Sequence, residues 1–103
     1  MAERGWRQLG FEQRLEEWLE LEAPDQDLRT AVLTWVLSRL DDPYAGMRRE
    51  PGFDNLWFGV IPGTLREPAT VVACSLWIEE GSRTIRCDRI ASLSWPGNGR
   101  GQS

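Results

Sequence analysis

At 103 residues with a net charge of −4 at pH 7, the chain is one domain's worth of acidic protein, too short for separate catalytic and cofactor-binding halves. All 12 positive charges are Arg, since the sequence holds no Lys and no His; this excludes a Schiff-base or phosphate-loop Lys, a His general base, His metal ligands and His-dependent nucleophiles. A hydrophobic fraction of 41% with six Trp argues for a folded core, and a pI near 4.8 confines any affinity for nucleic acid to a local Arg cluster.

The first half of the chain is helical in period. Phe11, Leu15, Trp18 and Leu19 recur on one side and Glu12, Glu16, Glu17 and Glu20 on the other, which predicts an amphipathic helix ended by Pro24. Asp25 is a suitable N-cap for a second helix running to about Leu40, where Asp41, Asp42 and Pro43 stop it. Its apolar set (Leu28, Ala31, Val32, Leu33, Trp35, Val36, Leu37 and Leu40) is wider than one stripe, so burial on two sides is expected, against the first helix and a sheet. From Tyr44 to Asn55 the chain turns polar and reads as a long connection. The period then changes to two, with strands expected over Leu56–Ile61, Thr70–Glu79 and Arg83–Leu93. Residues 1–95 are expected to form one α+β domain, and 96–103 a flexible Gly-rich tail. The sequence has no apolar run long enough to span a bilayer and no apolar leader, so a cytoplasmic protein without membrane contact is expected.

The hairpin register follows from the turn. A type II′ turn centred on Gly81-Ser82 pairs Glu80 with Arg83, Ile78 with Ile85 and Leu76 with Cys87. Continued without interruption, that register sets Cys74 opposite Arg89 and Ser75 opposite Asp88, and turns Ile85, Cys87, Ala91 and Leu93 toward the core together with Val72, Cys74, Leu76 and Ile78. Cys74 and Cys87 are then diagonal neighbours with Cα atoms roughly 7 to 8 Å apart. At that separation free core thiols are expected rather than a disulfide.

Three side-chain groups are candidates for function. Arg83, Arg86 and Arg89, with Arg48, Arg49 and Arg66 on adjacent loops, could converge on phosphate through planar bidentate donors. The structural alternative pairs Arg83 with Glu80, stacks Arg86 on Trp77 and sets Arg89 near Asp88. Among the tryptophans, Trp18 and Trp35 fall in helical stripes and belong to the core, whereas Trp57 and Trp77 are candidates for an exposed partner surface on the outer sheet face. Asp41, Asp42, Asp54 and Asp88 show no diagnostic spacing, and Asp41-Asp42-Pro43 reads as a helix stop.

The order of elements resembles the RelE/ParE family of bacterial toxins. The resemblance lies in the stop Leu40-Asp41-Asp42-Pro43-Tyr44, the loop and strand Gly52-Phe53-Asp54-Asn55-Leu56-Trp57-Phe58, and the hairpin of Val71–Ile78, Glu79-Glu80-Gly81-Ser82 and Arg83–Leu93, and it covers about residues 6–95. It implies an N-terminal helical hairpin packed on an antiparallel β-meander. It also implies a toxin-like component of a toxin–antitoxin pair that binds a macromolecular target, with an antitoxin-like protein as partner and RNA or the ribosome as a further one. No cofactor or metal is implied. The RNA-cleaving members present Lys and Arg on the strands where this chain has Leu56-Trp57-Phe58-Gly59 and Val71-Val72-Ala73, and a Tyr, His or Arg near the end of the last strand, where this chain has Ser92, Ser94 and Trp95. The catalytic residues therefore stay unassigned. The balance is against an enzyme, any activity would be ribosome-dependent messenger RNA cleavage, and the alternative is a non-catalytic interaction module on the same fold.

Overall fold

A computed structural model describes residues 6–66 and 69–94; Trp95 and the tail expected over 96–103 lie outside them. Strand β1 (Arg7–Leu9) leads through Gly10 into helix α1 (Phe11–Glu22), followed by helix α2 (Gln26–Ser38) and strands β2 (Arg48–Arg49), β3 (Leu56–Val60), β4 (Thr70–Glu79) and β5 (Thr84–Ser94). The sheet order is β1-β5-β4-β3-β2. β3, β4 and β5 form the expected antiparallel meander, and two short strands extend it: β2 pairs antiparallel with β3, and β1 pairs parallel with β5. Neither was anticipated, because runs of two and three residues carry no readable period.

Local chemistry accounts for the helix ends. Asp25 accepts the Leu28 N–H at 2.8 Å and caps α2. α1 ends at Ala23, in the left-handed region at φ 44°, whose N–H returns to Leu19 O. α2 ends at Ser38, two residues before the expected stop. Gly10 at φ 77° makes the sharp corner from β1 into α1, and a Cβ there would lie 3.4 Å from Cys87 O.

Both helices pack on one face of the sheet. Phe11 and Trp18 of α1 and Val32, Trp35 and Val36 of α2 meet Val72, Cys74, Leu76 and Ile78 of β4 and Ile85, Cys87 and Ile90 of β5 in one core cluster. Trp18 Nε1 donates to Ser92 Oγ at 3.3 Å, and Gln8 Nε2 to Val36 O at 2.7 Å, tying α1 to β5 and β1 to α2. The expected burial of α2 on two sides is overturned: Leu33 and Leu37 are 48% and 62% exposed. Counting apolar residues overstates burial, since only the Val32-Trp35-Val36 stripe faces the sheet and the next ridge has no described neighbour covering it.

The hairpin register holds from Ile78↔Ile85 to Leu76↔Cys87 and then shifts between Ser75 and Leu76. Asp88 is the extra residue of a β-bulge, so Ser75 lies opposite Arg89 rather than Asp88, and Cys74 opposite Ile90 rather than Arg89. Beyond the bulge every β5 side chain changes face. Ile90 is buried in the core and Ser92 meets Trp18, while Ala91 and Leu93, expected to point inward, pair with Ala73 and Val71 on the outer side. The turn differs as well. Arg83 N–H bonds Glu80 O, as expected of a turn centred on Gly81-Ser82, but the left-handed residue is Arg83 at φ 55°, not Gly81, so the turn is not of type II′.

Candidate binding face

With both helices on the inner face, the outer face of the sheet carries no helix layer among the described residues. Its side chains follow from the registers. One row across the sheet reads Arg48, Phe58, Ser75, Arg89; the next reads Leu56, Trp77, Arg86, Leu9; a third reads Val60, Ala73, Ala91. Arg48 and Arg89 stand three strands apart, about 14 Å at the usual inter-strand spacing. Between them lies a shallow recess of about 80 Å³ lined by Phe58, Ala73, Ser75, Arg89, Ala91 and Leu93. Arg48, Arg86 and Arg89 are all exposed, and none forms an ion pair among the described residues. Trp77 borders this ground half-buried, its Nε1 donating to Asp88 Oδ1 at 3.1 Å and its ring packed edge-on against Phe53 at 5.8 Å.

The candidate residues divide between the two faces. Arg48, Arg86, Arg89 and Trp77 share the outer face. Trp57 does not: it pairs with Leu76, packs against the core and meets Tyr44 edge-on at 4.9 Å, because its parity on β3 is that of the inner face. Arg49 pairs with Trp57 and shares that parity. Arg83 lies over the Trp6 ring at 5.1 Å, and Trp6 packs on the core, which replaces the side-chain pairing expected with Glu80. Arg66 is 3.9 Å from Asp25 at the start of α2. The stacked guanidinium expected of Arg86 on Trp77 is found instead at Arg39, 4.2 Å over Trp35.

Arg39 is the cation that the sequence reading missed. It is 4% exposed and holds the connection after α2 by donating to Pro43 O at 3.2 Å and Ala45 O at 2.7 Å. Burial lowers its pKa, while the charge of Asp42 works in the opposite direction. Phe58, Ser75, Ala91 and Leu93 were missed as lining residues for a different reason. The signal was present in β5, where the inward apolar residues run Ile85, Cys87, Ile90; a step of three in a strand marks a bulge.

A larger groove of about 470 Å³ follows the edge of β5 beneath α1, between Trp18, Leu21, Asp88 and Ser92. Its wall carries the Arg14–Glu17 ion pair at 3.1 Å on α1, and it mixes both signs of charge. Among the described residues no group of three or more Cys, Asp or Glu side chains is placed to hold a metal ion, and no helix is long and apolar enough to cross a membrane.

No family model and no curated protein matches the sequence. Among solved structures, the fold is similar to that of the E. coli toxin RelE, an arginine-to-alanine double mutant in the free state, at 12% identity and a TM-score of 0.56 over 90% of this chain and 85% of that one. Two helices on a mixed five-stranded sheet therefore form an α+β fold of the RelE type, as the order of elements implied.

Proposed function

We propose that the chain is a toxin-like component of a bacterial toxin–antitoxin pair, acting by binding a macromolecular target through the outer sheet face and held in check by an antitoxin-like protein. The observation that carries this reading is the row Arg48, Phe58, Ser75, Arg89 with Arg86 beside it: among the described residues, three guanidinium groups without carboxylate partners, Arg89 lining an apolar recess, on a face that no helix covers. Planar cations around a ring suit a phosphate-bearing chain with bases to stack. The RelE-like fold supports the toxin reading, since the similar structure is that of a toxin.

A catalytic role is not part of the proposal. The face offers Ser75 and three arginines but no side chain that titrates near neutral pH, so binding is the activity its chemistry supports best. The second reading, a non-catalytic protein-interaction module, draws on the acidic net charge and the apolar recess.

Induced expression with growth followed tests the choice. The toxin reading expects growth to slow, and Arg86→Glu with Arg89→Glu to restore it at equal protein level, without specific messenger cleavage by the purified chain. Unimpaired growth with the wild-type chain favours the interaction module, and cleavage abolished by Arg89→Ala would restore the nuclease reading.

A further inference from the structure

Cys74 and Cys87 are absent from any binding or catalytic role given above, and their placement is specific. Cys74 lies in β4 and Cys87 in β5, diagonal to one another, both free and both buried at 1% and 3% exposure. Their Sγ atoms nevertheless lie 4.0 Å apart, in direct S–H···S contact. The diagonal offset expected from the register is therefore retained, but it does not keep the sulfurs apart. The right-handed twist of a strand pair shortens one diagonal, and the bulge adds local twist immediately after Cys87.

We propose that Cys74 and Cys87 form a reversible dithiol–disulfide site, oxidised by small disulfides of the glutathione class. Two features support closure. Sulfur–sulfur contact at 4.0 Å leaves about 2 Å to a bond, a step that side-chain rotation can share with the slack of an unpaired bulge residue. Access follows from the sheet edge. β1 pairs with β5 only along Thr84–Arg86, so Cys87 is the first residue past that pairing, and the groove beneath α1 begins at Asp88. Against closure, the hydrogen bond to Cys87, then burial, and also the charge of Asp88 hold the Cys74 thiol well up, and only the Arg39 guanidinium counters them, so closure waits on local opening of the site.

The steps balance without further reagents. Transient opening of the β5 edge lets the Cys87 thiolate attack one sulfur of glutathione disulfide and release one glutathione thiolate. The Cys74 thiolate then attacks Cys87 Sγ and releases the second, and the two thiol protons leave with the two glutathiones. The bond would join the two central strands and close a loop of about 14 residues, a constraint on the unfolded chain.

Because the fold favours the bond as much as the bond favours the fold, the folded chain should form it about 100-fold more favourably than the denatured chain. The test equilibrates the full chain in glutathione buffers of graded ratio, with and without denaturing urea, and reads intact mass and free thiols. The expected result is a monomer lacking two hydrogens and both thiols, reversed by dithiothreitol, with the folded chain oxidised at a glutathione disulfide fraction that leaves the denatured chain reduced. The melting temperature of the oxidised wild-type chain should rise by about 10 °C or more. A folded chain that stays dithiol in buffers that oxidise the denatured one, that gives only mixed glutathione adducts or linked dimers, or whose melting temperature fails to rise would overturn the proposal.

Discussion

Tyr44 shows how one side chain joins several parts of the structure. It sits in the connection after α2, edge-on to Trp57 at 4.9 Å and to Trp6 at 6.2 Å, and its hydroxyl donates to Glu80 at 3.2 Å across the end of the sheet. The helix ends at Ser38, ahead of the expected stop Asp41-Asp42-Pro43, and Asp42 Oδ1 accepts the Tyr44 N–H at 3.1 Å, fixing where the ring departs. Burial first, then the hydrogen bond and charge of Glu80, raise the phenol pKa above its ordinary value near 10. Folding thus favours the neutral phenol. Its contribution to stability is intact below the unfolded pKa and is lost as pH rises from there through the higher folded value. Urea unfolding of the wild-type chain followed from pH 9 to beyond 11 should show stability falling across that window, and Tyr44→Phe should flatten part of the fall. Identical slopes for the two proteins would mean that the phenol ionises equally well in both states.

At the scale of elements, the bulge at Asp88 decides what the long hairpin presents. The turn-proximal register was legible, since Ile78↔Ile85 and Leu76↔Cys87 follow from the shared parity of two apolar alternations. The shift is marked only by the step of three from Cys87 to Ile90, which the alternation through Ala91 and Leu93 masks, because one inserted residue leaves each half of the alternation intact and only reverses their relation. The bulge sends Ile90 inward and Arg89 outward, and Asp88 accepts from Trp77 Nε1 at 3.1 Å. Asp88→Ala keeps the residue count and loses that one hydrogen bond, so a cost of about 1 kcal/mol is expected. Deleting Asp88 removes the bulge yet leaves Arg89 opposite Ser75 and Ile90 opposite Cys74, so Ile90 and Ser92 keep their inward face in a regular alternation. We expect that deletion to cost within about 1 kcal/mol of Asp88→Ala, with cooperative unfolding retained, as circular dichroism in urea will show. A deletion variant that loses more than about 3 kcal/mol, or cooperative unfolding, would show that the local twist of the bulge itself supports the core.

Among the described residues the sheet has one face covered by helices and one without them, and tryptophans on the two should differ in cost. Trp18 is 3% exposed, in the core cluster and hydrogen-bonded to Ser92; Trp77 is half-buried on the outer face. Trp18→Ala should therefore cost about 3 to 5 kcal/mol, and Trp77→Ala less than half of that, in paired chemical denaturation curves. Equal losses would mean that the outer face is packed as tightly as the core. The same asymmetry accounts for what the sequence by itself determined: two amphipathic helices with an Asp25 cap, three longer strands, the closing pairs of the hairpin, the core roles of Trp18 and Trp35, and an order of elements that resembles RelE. Those properties reside in local periodicity, and short-range sterics and hydrogen bonds enforce them within a few residues. Only the tertiary structure decided that Trp57 faces inward, that Leu33 and Leu37 stay exposed, that β1 and β2 complete the sheet, and that Arg48 and Arg89 flank one recess with the two thiols in contact behind it. Each depends on what lies across from a residue, and a bulge or an uncovered helix ridge changes that neighbour without altering the period along the chain.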